Sequence, residues 1–207
     1  MSGEPACSRE VRLLTVGGGG GTLPNRAGGG SGVVVFNTVN ITANRELEII
    51  VGLGGARNQS GEASTVSYLG GNLLQVGEGG ARAELTDGGD GYSGGGAQGV
   101  RGGTDGGNGD DFGSQYYGGS GTGLDVAEVS FDVFSVSSGT AGEGDLTYGG
   151  GGGGGVEVAG PSLEGGDSSL PGEGGGWGGG AGGATQTNVG RPGLIIMEIV
   201  RDLLTPN

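Results

Sequence analysis

The chain contains no histidine, no lysine and one cysteine among 207 residues. Each absence closes a class of chemistry. A zinc site of the usual His/Cys kind cannot be assembled. Histidine acid–base catalysis and lysine Schiff bases are excluded. So is an intrachain disulfide, which leaves Cys7 either free or paired with another chain. Positive charge is scarce: nine arginines face 23 Asp and Glu, for a net charge of −14. An acidic chain without lysine repels phosphate, so nucleic acid is not an expected partner. Long apolar runs are missing too. The longest, Leu194–Val200, is interrupted by Glu198, whereas a membrane helix needs about 20 residues, so no span is expected. Met1–Pro5 shows no basic region followed by an apolar core, so no secretory signal is visible.

What the chain has instead is glycine, 60 residues, with six prolines. That level usually signals low complexity. Yet 32% of residues are hydrophobic and only 15% charged, and the apolar residues are gathered into runs, unlike a disordered chain. Arg12–Val16, Val33–Phe36 continuing to Ile41, Leu47–Val51, Ser64–Leu69 and Leu73–Val76 read as short strands. Gly70-Gly71-Asn72 joins the last two as a hairpin turn. Between and after these runs lie glycine blocks, the longest uninterrupted one Gly149–Gly155.

The organisation expected from this pattern is a flexible N-terminus (1–11), one glycine-rich domain (12–202) and a C-terminal tail (203–207). The domain divides into a β-rich part (12–77), a glycine-rich part (78–123), a β-like part (124–136), a second glycine-rich part (149–183) and a closing strand (194–200). The glycine blocks have two readings. In one they are flexible linkers. In the other they are extended helices of the polyproline II type, three residues per turn without internal hydrogen bonds. Strands flank the blocks repeatedly, and Tyr92, Tyr148 and Trp177 sit where they would cover bundle faces. The expected fold is therefore mostly β, with glycine-rich polyproline-II-like (polyglycine II) helices bundled on an antiparallel β framework and almost no α-helix.

Asp87–Gly96, Tyr148–Gly155 with Val156–Pro161, the closing Gly190–Glu198 and Leu14–Val16 before a glycine run carry a resemblance. They resemble secreted glycine-rich proteins of marine invertebrates and other eukaryotes. They are also similar to glycine-rich domains of phage tail proteins and, in general style, to the glycine-rich domain of receptors of the anaplastic lymphoma kinase type. The receptors' cysteines are absent here. The resemblance implies polyglycine helices bundled on a β framework and brings no catalytic residues.

Among candidate chemistries, a phosphate-cradling G-x-G-x-x-G carries no weight at this glycine content, and a Walker sequence is impossible without lysine. Calcium is the better candidate: Asp87, Asp90, Asp105, Asp110 and Asp111 are clustered among turn-forming glycines, and calcium takes six to eight oxygen ligands. The competing reading is a solvated acidic face that maintains solubility. No other cofactor is expected. No carboxylate pair is framed for catalysis, and a serine nucleophile would lack its base, so the chain is not expected to be an enzyme. Asn40-Ile41-Thr42 and Asn58-Gln59-Ser60 are N-glycosylation acceptors on a secreted chain.

The functional expectation is an extracellular structural protein of a matrix, coat or filament. It would self-associate as a homo-oligomer or filament through Leu194, Ile195, Ile196 and Ile199, with Cys7 available for an intermolecular disulfide. Arg12–Val16 and Leu194–Val200 either close one domain on each other or pair across subunits. The alternative is an adhesin or receptor-binding module that recognises a cell-surface partner. An ice-binding protein ranks third, because its threonines are scattered rather than aligned on one face.

Overall fold

The structure, a computed structural model, describes residues 8–23, 27–42, 44–83, 88–91, 110–112, 115–117, 129–139, 152–159, 175–182 and 189–203. The described residues contain strands and extended segments and no helix. The strands are β1 (Ser8–Val16), β2 (Val34–Thr42), β3 (Leu47–Ile50), β4 (Ser64–Tyr68), β5 (Leu73–Gly77), β6 (Asp110–Phe112), β7 (Gln115–Tyr117), β8 (Ser135–Ser138), β9 (Val156–Ala159) and β10 (Leu194–Leu203). Two three-stranded sheets, β10-β1-β2 and β3-β4-β5, and two two-stranded sheets, β6-β7 and β8-β9, are the antiparallel units among the described residues. The expected hairpin at Gly70-Gly71-Asn72 is β4-β5, and Gly70 takes the left-handed conformation (φ 64°) that such a turn requires.

β1 lies between β10 and β2 and is buried on both faces, which explains the run Leu13–Val16, where the only polar side chain, Thr15, is itself buried and hydrogen-bonded to Gln75. Leu14 and Val16 turn to one side with Val34, Phe36, Leu194 and Ile196, and pack on Phe131 and on Val156 and Val158 of β9. Phe36, Phe131 and Phe134 meet edge to face in series, the arrangement that aromatic quadrupoles favour. On the other side, Val11 joins Val39 and Met197 against Tyr68, Leu47 and Leu74 of the second sheet. The terminal strands thus pair with each other inside one chain, Val16 opposite Leu194 and Leu14 opposite Ile196. This is the domain-closing alternative of the two open in the sequence. β1 extends back to Ser8 and β10 forward to Leu203, so both overrun the expected strand limits.

Polar side chains latch the two sheets together. The Gln75 amide on β5 is buried, and its Nε2 donates to the Leu13 carbonyl (3.0 Å), the Val35 carbonyl (2.9 Å) and Thr15 Oγ1 (3.2 Å). Its Oε1 accepts from Asn37 Nδ2. The Ser64 hydroxyl donates to the Val16 carbonyl at 2.6 Å while accepting from the Gly52 N–H. A buried amide with all its bonds made is costly to remove, because the partners it leaves behind lose theirs. Gln75→Ala is expected to lose about 2–3 kcal/mol in denaturant unfolding. A change under about 0.5 kcal/mol, the scatter of ordinary surface substitutions, would show that the sheets are held by apolar contact alone.

Val16, Val34 and Leu194 are aligned in the register, so β1 leaves the sheet at the end where β2 and β10 enter. From that end the chain continues as glycine segments. Residues 17–21 run through their middle. Gly17 and Gly20 donate to Val33 and Gly30, Gly18 and Gly21 to Glu62 and Gln59, and Gly19 to Arg191, at 2.8–3.0 Å. The carbonyls of Gly18 and Gly21 accept from Gly80 and Ala83, that of Gly19 from Gly55, and that of Gly20 from Ala181. Each bonding direction thus returns at every third residue, whereas a β-strand alternates with a period of two. The backbone partners make these segments ordered structure and not linkers, since each buried N–H and C=O must find a bond.

Close approach explains the glycine. A Cβ built on Gly17 or Gly20 would overlap the carbonyl oxygen of Glu78 or Ala81. On Gly18 or Gly21 it would overlap that of Leu53 or Ala56, and on Gly19 that of Gly179. The steric contacts repeat with the same period of three as the hydrogen bonds. Among the described residues the side chains buried within the bundle are small: Thr22, Ala27, Ser31, Ala83 and Ala181.

Candidate functional site

Two edge strands lie near each other on one side of the molecule. Among the described strands, β3 pairs only with β4 and β10 only with β1. Below them the glycine segments are stitched together, Gly193 donating to Gly52 and Gly190 to Gly55. On β3 and just beyond it, Ile49, Ile50, Val51 and Leu53 are 45–63% exposed. Ile199 and Val200 of β10 are exposed as well. Ile49 and Ile50 lie on the strand whose edge is unpaired among the described residues, and Val51 and Leu53 continue the exposed apolar run where the backbone is bonded to 190–193. Such a run is unusual, because natural edge strands are generally blunted by charge, proline or bulges.

Where the 44–47 turn crosses from the first sheet to the second, a cleft of about 170 Å³ opens. Its apolar floor is Val11, Ile41, Leu47 and Met197 with the exposed Ile199 beside them, and its polar lining is Arg9, Thr42, Asn44 and Arg45. Asn44 supplies the left-handed turn residue (φ 62°), a conformation asparagine tolerates. Arg45 Cζ stands 4.0 Å from the centroid of the Tyr68 ring, a cation–π contact that fixes the guanidinium. The Tyr68 hydroxyl accepts the Thr42 N–H at 2.8 Å. Hydrogen bonding from Thr42, its side chain first and its backbone N–H second, holds the phenol below its ordinary pKa, with a smaller push from Arg45 and against the effect of burial. Among the described residues no carboxylate pairs with Arg45.

Other arginines are spent on β10. Arg12 reaches Glu198 and Asp132, both at 3.0 Å, and the two carboxylates hold its guanidinium above its ordinary pKa, chiefly through the hydrogen bond to Asp132. Arg201 pairs with Glu10 at 2.7 Å. Arg12–Glu198 ties β10 to the middle of β1, and Arg201–Glu10 ties them at the end away from the glycine segments.

The residues singled out in the sequence are dispersed. Leu194 and Ile196 are buried in the core shared with β9, Ile195 is half-buried, and only Ile199 among them is exposed. Cys7, Asp87, Asp105, Tyr92 and Tyr148 lie outside the described residues. Asp90 is exposed on a glycine segment, where its carbonyl accepts the Ala81 N–H, while Asp110 and Asp111 belong to β6. Among the described residues no three acidic or thiol side chains gather as a metal site would require. Asn40 is exposed on β2, and Asn58 is exposed in a left-handed turn (φ 61°). Trp177 is half-buried, packs on the core beside β9, and exchanges backbone hydrogen bonds with Val156. The cleft escaped sequence reading because Arg9 and Arg45 are distant in the chain and belong to no motif.

Small antiparallel sheets that run on into a bundle of glycine segments bonded backbone to backbone define a glycine-rich β domain. The chain belongs to the glycine-rich domain family, whose model matches residues 3–198. No curated protein and no solved structure matches it.

Proposed function

We propose that the protein is a non-enzymatic, secreted structural subunit of an extracellular matrix, coat or filament that self-assembles through the free edges of β3 and β10. The observation that carries this reading is the exposed run Ile49, Ile50, Val51 and Leu53 beside an unpaired strand edge. Such an edge offers backbone donors and acceptors together with apolar area to a second strand. The glycine segments are, in this reading, polyglycine II helices. The return of each hydrogen-bond direction at every third residue supports that, since such a helix has three residues per turn and no internal bonds. A bundle of this kind is a stiff spacer made almost without side chains. The exposure of Asn40 and Asn58 suits glycosylation of a secreted chain.

Sedimentation velocity of the full chain tests the assembly. The net charge of −14 opposes association, so oligomers are expected to grow as salt screens it or as calcium neutralises the acidic residues. The double substitution Ile50→Lys with Leu53→Lys is expected to leave a folded monomer, because lysine blunts strand edges. A folded wild type that stays monomeric at every salt and calcium concentration would overturn self-assembly and favour the adhesin reading.

A further inference from the structure

We propose that the cleft beneath the 44–47 turn is a binding site for a small apolar carboxylate. Two properties of the cleft point to that chemistry. The floor, from Val11 and Ile41 to Leu47 and Met197 with Ile199 beside them, is hydrocarbon and cannot satisfy a polar ligand body. Its volume of about 170 Å³, at the roughly 30 Å³ that a water occupies in the liquid, holds roughly six heavy atoms. That is the size of a short acyl chain, with room to spare for a leucine side chain. The polar lining has the opposite character, with Arg9 and Arg45 beside the Thr42 and Asn44 polar groups.

The placement of Arg45 is the more telling feature. In a chain with a net charge of −14, carboxylates are abundant, and Arg12 and Arg201 have taken theirs. Arg45 instead lies on the Tyr68 ring and has no carboxylate among the described residues. Stacking restrains the guanidinium without consuming its N–H donors, so it is preorganised for a planar, two-oxygen partner. An overall acidic surface repels anions at long range, so the attraction is local and demands that the apolar body fill the floor at the same time. A free short-chain acid and the C-terminal residue of a peptide share this chemistry. The cleft takes Leu47 from β3 and Met197 and Ile199 from β10, so it borders the edges proposed for assembly, and the titration is run on the monomer at low salt, where its outcome is separate from assembly.

The test is an NMR titration of the full-length protein with hexanoate, hexanol and acetate. Hexanoate is expected to give saturable shifts at Ile41, Leu47, Met197 and Ile199. Acetate lacks the apolar body and hexanol the charge, and each is expected to bind about tenfold more weakly or worse, the loss that accompanies a missing charge-assisted bond or unfilled floor. Arg45→Gln, which keeps the rest of the spectrum, is expected to reduce hexanoate to the level of hexanol, and Arg45→Lys to restore part of the difference. No saturable shift with hexanoate, equal binding of hexanol, or unchanged binding to Arg45→Gln would each overturn the proposal. An acetylated tripeptide ending in leucine separates the two sources once the carboxylate preference is established. Tighter binding than hexanoate supports a peptide terminus as the ligand, and weaker binding supports a free acid.

Discussion

Gly20→Ala is expected to unfold the glycine bundle, at a cost upward of about 4 kcal/mol, the range reserved for severe steric or burial defects. The new methyl group would overlap the Ala81 carbonyl oxygen, with the Arg82 nitrogen only 3.0 Å away. Relief by movement is blocked on other sides. Gly20 N–H donates to Gly30 at 2.8 Å, and its carbonyl accepts from Ala181 at 2.9 Å. Shifting the central segment therefore breaks bonds to several neighbours, and each buried group left unpaired adds its own penalty. Gly70→Ala separates this effect from backbone strain. A methyl there meets nothing within 4 Å, although the φ of 64° disfavours it, so the expected loss is about 1–2 kcal/mol. Chemical denaturation followed by far-ultraviolet circular dichroism measures both. A Gly20→Ala protein as stable as Gly70→Ala would mean that the backbones do not lie in contact.

The second large effect is expected from Ile196→Lys. Ile196 is 5% exposed, opposite Leu14, in the cluster that includes Val156 and Phe131. Loss of the isoleucine contacts costs about 2–5 kcal/mol. Placing an ammonium there adds several more unless it is neutralised. Against a total stability of about 5–15 kcal/mol, the protein is expected to be recovered unfolded or aggregated. Ile199→Lys, on the same strand at 55% exposure, is expected to fold with a loss under about 1 kcal/mol. Soluble yield and the unfolding midpoint distinguish them. An Ile196→Lys protein with wild-type stability would show that β10 is not docked on the core.

The contrast between these two isoleucines shows how far the sequence could be read. The apolar runs announced β1 to β5 and β10 because β-branched residues bounded by glycine leave few alternatives. The β4–β5 turn was equally legible, since Gly70-Gly71-Asn72 supplies the backbone freedom it needs. Along the closing strand, however, Leu194, Ile195, Ile196 and Ile199 looked alike as assembly residues. The register with β1 then buried Leu194 and Ile196 and left Ile199 outside. Side-chain period defines two faces of a strand but does not say which face another sheet will cover.

By itself the sequence determined the chemistry this protein forgoes and the material from which it is built. With no histidine, no lysine and one cysteine, whole classes of site were closed before any folding. Glycine between short strands required either linkers or backbones in close contact. The tertiary structure decided for contact in the described segments, because only there do residues 17–21 find partners at 30–33, 59–62, 80–83, 181 and 191. It also decided that β1 is enclosed while, among the described strands, β3 and β10 each pair on one side alone. Those outcomes depend on which distant segments become neighbours. Glycine, which has no side chain to encode a partner, leaves that choice to the sheets that deliver the segments side by side.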